Sequence, residues 1–198
     1  KALNPKPQTP TVISLNTDDL LNITTSGIWT SVKKDGQGVV SGIGTNEISW
    51  GNPTINNKQS SYVFAGTDTS LGLDEDELLG TFTHNNFPIT DYSITEANLA
   101  LDLNIGGSSH LFNLSFKHEE TPNDSSHPED IVSIPSIYST ELFDINGEIY
   151  KLVVSGFHQN DHLTNEFITE ENMANSAKIY GRLEKVDGKK ECQNLLLV

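Results

Sequence analysis

The chain reads as an all-β protein: an antiparallel β-sandwich with long acidic loops and at most one or two short helices. Three observations predict it. Apolar and polar residues alternate with a period of two through the longest patterned segments, Gly, Asn, Pro and Ser punctuate the chain at short intervals, and apolar spacing of helical period is nearly missing. Strands of this length and punctuation point to an antiparallel sandwich.

The first candidate strands are "GIWTSV", "VVSGIG", "NEISWG", "SSYVFAG" and "LLGTFTH". In "ANLALDLNI" the residues Ala97, Leu99, Leu101, Leu103 and Ile105 fall on one face, and Asn98, Asp102 and Asn104 on the other, the pattern of a half-buried strand. "LFNLSF" repeats it with Phe112, Leu114 and Phe116 inward, and Gly106-Gly107 between the two runs suits a hairpin. "ELFDINGEIYKLVV" is a second hairpin, since Asn146-Gly147 tolerates the positive φ angles of a type I′ turn. In "SAKIYGRLEKV", Ala177, Ile179, Gly181 and Leu183 line up on one side as a further strand. Helix signal is confined to "DDLLN" and "TEENMANSA", one or two turns each, where acidic residues favour helix N-termini. Two acidic connections, "TDTSLGLDEDEL" and "HEETPNDSSHPED", resist assignment as strands.

At 198 residues the chain is long enough for one large core. The expected organisation is a linker or first strand over 1–15, a single β-sandwich ligand-binding domain over 16–190, and a tail or last strand over 191–198. "KALNPKPQTP" resembles a Pro-containing linker, and the chain looks like a module excised from a longer protein. No stretch reaches the ~20 apolar residues that span a bilayer.

Twelve Lys+Arg against 27 Asp+Glu give a net charge of -15, which repels phosphate backbones and anionic lipid surfaces. Nucleic acid and membrane insertion are thereby disfavoured, and a monomeric module is expected. The one cysteine, Cys192, excludes an intrachain disulfide and a thiolate metal cluster. So many carboxylates repel one another unless something neutralises them, and a divalent cation with oxygen ligands does that; acidity that serves solubility alone is the plainer alternative.

Chemistry concentrates in "HEETPNDSSHPED". His118-Glu119 starts like a His-Glu-x-x-His zinc helix, but Pro122 stands at the fifth position, removing both the second histidine and the helix. His158 and His162 have helical spacing inside a segment that reads as a loop, and surface histidines account for them better. Paired-carboxylate hydrolysis is disfavoured because Glu119 and Glu120 point to opposite faces of a strand unless the strand has ended. With no nucleophile elbow, phosphate loop or Cys-His pair either, the expectation is a protein that is not an enzyme. Calcium fits better: Glu119, Glu120, Asn123, Asp124 and Asp130 offer carboxylate and amide oxygens from one loop, with Glu119 and Asp130 brought to one site by the two prolines and the Asn-Asp turn. Asp74 and Asp76, in a run with Asp68, Glu75 and Glu77, make a second candidate, which an acidic solvated turn explains equally well. Glu47 is a third, although a lone glutamate in a strand pattern is more often simply exposed. Trp50, with Trp29, raises a sugar-stacking alternative, against the commoner role of tryptophan in a sandwich core.

Taken in order, "GTNEISWGNP", "SSYVFAGT", "LLGTFTHNNFPI", "HEETPN" with "DIVSIP", "INGEIYKLVVSGF" and "FITEENMANSAKIYGRL" resemble the choice-of-anchor K domain, also met as the Thr-His-x-Asn family. Thr83-His84-Asn85-Asn86 matches the motif of that name, and the resemblance covers about residues 26 to 186. It implies a β-rich extracellular module of bacterial surface or exported proteins, and no activity follows from it. His84, Asn85, Asn86 and Trp50 are our own candidates for ligand binding. The chain is also similar in size and acidity to the peptide-binding domains of large calcium-dependent RTX adhesins. That similarity implies a secreted or cell-surface adhesin module acting in cell adhesion and biofilm, in which calcium holds a peptide's C-terminal carboxylate. A carbohydrate-binding, lectin-like module and a calcium-stiffened spacer are the alternatives.

Overall fold

The computed structural model describes residues 9–14, 21–134 and 137–187, with the backbone alone for 137–140. Among them sixteen strands run in chain order: β1 (Thr11–Ile13), β2 (Leu21–Asp35), β3 (Glu47–Trp50), β4 (Asn52–Pro53), β5 (Ser60–Ala65), β6 (Asp68–Leu71), β7 (Glu77–Asn86), β8 (Ile89–Thr90), β9 (Ser93–Ile105), β10 (Ser108–Glu119), β11 (Asp130–Ser133), β12 (Ile137–Ile145), β13 (Glu148–Gln159), β14 (His162–Thr164), β15 (Glu166–Thr169) and β16 (Met173–Lys185). One sheet has the order β1-β12-β13-β16-β7-β5-β3, with β14 beside β13, and the second has the order β15-β11-β10-β9-β2-β6. Pairing is antiparallel except between β1 and β12.

The predicted hairpins form where their turn residues allow. Gly106 and Gly107 take φ of 58° and 85° between β9 and β10, and Asn146 and Gly147 take 51° and 87° between β12 and β13. Every inward residue named for β9, β10 and β16 is buried, Gly181 included. The two inner faces meet through aromatic rings: Trp29 of β2 and Phe116 of β10 from one sheet, Tyr62 of β5, Phe82 of β7 and Phe157 of β13 from the other. Across the two sheets, ring centroids lie 5.1 Å apart for Phe82–Phe116 and 5.5 Å for Trp29–Tyr62. Each such side chain contributes roughly 1.5–3 kcal/mol on leaving water, and a good ring pair about 0.5–1.5 kcal/mol more.

Three local expectations change. No helix forms among the described residues. In "TEENMANSA" strand β15 ends at Thr169, Asn172 takes φ of 63° in the turn, and Met173 already starts β16, because pairing with β7 satisfies its backbone; of "DDLLN", Leu21 and Asn22 belong to β2 and 18–20 lie outside the described residues. "VVSGIG" makes one isolated bridge, Ser41 to Ser49, since Gly42 and Gly44 turn the chain with φ of 89° and 88°. Asp68–Leu71, inside the first acidic connection, is an edge strand beside β2. The expected linker contains strand β1, while 1–8, 15–20 and the tail 191–198 lie outside the described residues.

Candidate metal centre

Period two decides which side chains reach the inter-sheet space at one end of the sandwich. On β7, Phe82, His84 and Asn86 share the buried face. On β10 the face that carries Phe112, Leu114 and Phe116 continues to His118, and Glu120 follows immediately after the strand ends. His84 pairs in register with Tyr62 of β5, and His118 with Val132 of β11. Asp130 opens β11 opposite Thr169, the last residue of β15, and Glu171 sits in the turn that carries the chain from β15 across to β16 in the other sheet.

The result is a cluster drawn from both sheets. His84, His118 and Asp130 are fully or nearly fully buried, and one potential ligand atom from each lies within 4.8 Å of the others; Glu120, Asp130 and Glu171 form an overlapping trio by the same measure. His118 Nε2 stands 3.1 Å from Glu120 Oε2 and 3.9 Å from Asp130 Oδ2. Around the two imidazoles stand aromatic rings: Trp50 lies parallel to His84 at 5.8 Å, and Tyr62 meets both histidines edge-on.

Hydrogen bonds fix how the histidines face. His84 Nδ1 lies 2.8 Å from Thr169 Oγ1, and that hydroxyl donates its only hydrogen to the Asp130 carbonyl at 3.3 Å. Toward His84 the hydroxyl therefore accepts, so Nδ1 carries the proton and Nε2 presents a bare lone pair. Burial, and then the neighbouring His118, push the His84 pKa well below its ordinary value, so the ring is neutral. His118 Nδ1 is bonded to the Tyr62 hydroxyl, which as donor or acceptor accommodates either tautomer and leaves Nε2 turned to Glu120 and Asp130.

The carboxyl groups are held against their preference. Burial first, then the Glu120 charge, push Asp130 up to about 8, and the same two causes push Glu171 up to about 7. The Tyr62 hydroxyl is raised as well, by burial and then by Asp130 and Glu120. Five buried acceptor atoms have no donor in good hydrogen-bonding geometry: His84 Nε2, Asn86 Oδ1, Asp130 Oδ2 and both Glu171 carboxyl oxygens, although the Asn86 amide is near enough to Glu171 to favour its charged form somewhat; the indole Nε1 of Trp50 is a donor in the same condition. Buried polar groups are paired in the great majority of cases, and leaving one unpaired costs about 1–3 kcal/mol. His84, His118 and Asp130, and Glu120, Asp130 and Glu171, are thus groupings that could hold a cation.

The expected site residues separate into three groups. Glu120 and Asp130 are in the cluster, together with His84 and Asn86 of the Thr-His-x-Asn motif. Glu119 is exposed on the opposite face of β10 from His118, so it does not share a site with Asp130, and Asn123 and Asp124 lie exposed on the loop beyond. That loop is closed at its neck instead by Thr121, whose N–H donates to Asp130 Oδ1 at 2.9 Å and whose hydroxyl donates to the Glu129 carbonyl at 3.0 Å. Asp74 and Asp76 are engaged elsewhere, Asp74 Oδ1 by the Lys185 N–H at 3.0 Å and Asp76 by Arg182 at 3.2 Å. Glu47 is exposed at the start of β3, outside the cluster.

Trp50 and Trp29 are both fully buried, which removes either as an exposed stacking platform; core packing claims them. His84 and Asn86 are likewise interior, whereas Asn85 points outward and donates to Ser61 Oγ at 2.9 Å. Four residues escaped expectation: Tyr62, His118, Thr169 and Glu171. A usable signal existed for His118, which continues the inward parity of Phe112, Leu114 and Phe116. Glu171 carries none, because a turn has no parity.

Compared with models of known protein families and with curated proteins, the chain finds no match in either.

Proposed function

We propose that this domain is a cation-dependent binding module of a bacterial cell-surface or secreted protein, with its centre at His84, His118, Glu120, Asp130 and Glu171. The single observation that carries this is the convergence of unpartnered buried acceptors from both sheets at one end of the sandwich. A bound cation relieves the repulsion among Glu120, Asp130 and Glu171 and pins together three chain segments of separate origin, 84–86, 118–130 and 169–171. The side chain of Glu120 is 24% exposed, so the cluster meets solvent on that side. A cation there keeps a coordination position for an incoming carboxylate, which a chain with a net charge of -15 otherwise repels. Peptide C-termini are the ligands of this chemistry, in keeping with the resemblance to adhesin peptide-binding domains and with a role in cell adhesion and biofilm. Calcium is the ion that the acidic composition favours.

An array of peptides with free or amidated C-termini, probed in millimolar divalent cation and again in EDTA, tests this. Free-terminus peptides should bind in cation and not in EDTA, and their amidated twins should lose on the order of 2 kcal/mol of affinity or more. Equal binding of both forms, or binding to a glycan array alone, overturns it.

A further inference from the structure

The donor set distinguishes between ions, a question that presupposes the cation-binding function proposed above. Calcium and magnesium take oxygen ligands almost exclusively, whereas imidazole nitrogen suits zinc and its first-row neighbours. Two of the most deeply buried groups in the cluster are imidazoles, and both are oriented for coordination. The Nδ1 of His84 is occupied by the Thr169 hydroxyl and that of His118 by the Tyr62 hydroxyl; His84 Nε2 has no partner, and His118 Nε2 faces Glu120 at 3.1 Å, a bond that a metal between the two would replace. Holding one ring nitrogen with an outer hydrogen bond is how metal-ligating histidines are commonly fixed in tautomer and orientation. A calcium loop gains nothing from two imidazoles sealed behind aromatic rings.

We propose that the site takes a divalent first-row transition ion of the zinc class, bound by His84 Nε2, His118 Nε2 and Asp130, with Glu120 or Glu171 as a fourth ligand on the solvent side. Thr169 and Tyr62 are positioning residues: they orient the imidazoles and do not touch the ion. Three buried ligands with a more exposed acidic fourth match a centre whose last position is exchangeable. On this assignment Glu119, Asn123 and Asp124 hold no ion, and the acidic loop closes over the site without supplying most of its ligands.

The test uses the intact domain, stripped with EDTA and dialysed. Titration with Zn²⁺ followed by calorimetry should show one equivalent bound, and Co²⁺ should give visible absorption bands that Zn²⁺ displaces. Nitrogen-15 spectra should show the Nε2 resonances of His84 and His118, and of no other histidine, moving on Zn²⁺ addition. That measurement needs no substitution and stands even if a core histidine variant fails to fold. His84→Ala should weaken Zn²⁺ binding by about a hundredfold or more, Thr169→Val by about tenfold, and Glu119→Ala not at all. Binding of Ca²⁺ with no Zn²⁺ response at the two histidines overturns the choice of ion while the cation-dependent function stands. Binding of neither ion overturns both, and leaves the cluster a buried proton-sharing network.

Discussion

The two acidic connections look alike in sequence and behave in opposite ways. Asp74 and Asp76 both have donors: Asp74 caps the Lys185 N–H, its own N–H donates to the Leu183 carbonyl at 2.7 Å, and Asp76 takes Ser155 and Arg182, which also grips Glu184 at 2.6 Å. Around Asp130 the balance is reversed, with one oxygen satisfied by Thr121 and the other facing Glu120, Glu171 and two imidazoles. A count of carboxylates therefore says little about cation sites. What separates a structural acid from a candidate ligand is whether the fold supplies enough donors, and at Asp130 Oδ2 and Glu171 it does not.

The largest expected contrast is in the sign of a substitution. Asp130→Asn replaces a buried, poorly compensated acid by a neutral isostere whose oxygen still accepts from Thr121, so in EDTA the variant should be more stable than the parent by about 2 kcal/mol. It should also lack the stabilisation by added Zn²⁺ expected of the parent, as read by thermal melts with and without the metal. A variant that melts lower in EDTA means that Asp130 stabilises the metal-free fold, and the contrast disappears.

Asp74→Ala should go the other way, losing about 1 kcal/mol as the Lys185 N–H loses its acceptor and an alanine is forced to φ near 61°. Its response to Zn²⁺ should equal the parent's. Denaturant titrations of both forms settle this, and a changed metal response would tie the two regions together.

The smallest effect concerns a third paired acid. Glu96 of β9 is flanked across the sheet by Lys33 of β2 and Lys117 of β10, and hydrogen bonds first from Lys117, then from Lys33, hold its carboxyl down at about 2. A folded value below the unfolded one adds stability that is complete above about pH 4.5 and is lost as pH falls toward 2. Glu96→Gln should accordingly melt below the parent at pH 6, with the gap closing as the pH is lowered to 2. A gap constant across that range shows that the lysines do not act through the carboxylate charge.

Alternation along β9, β10 and β16, and the turn residues at 106–107 and 146–147, determined the strands, their buried faces and two of the hairpins, because period and turn chemistry are local properties of the chain. The same parity placed His84 and Asn86 beside Phe82, and His118 beside Phe116, on inward faces. Only the tertiary structure decided what those inward polar groups would meet. Thr169 lies 85 residues beyond His84 in the chain, Asp130 is brought back to the end of β10 by pairing of β11, and Glu171 arrives through the crossing from β15 to β16. Sheet order is set by how whole apolar faces cover one another, so no local pattern encodes which strands become neighbours. The candidate site is a product of that order: each of its members is an ordinary polar residue in its own segment, and becomes a candidate ligand only where two sheets bring such groups into one buried space.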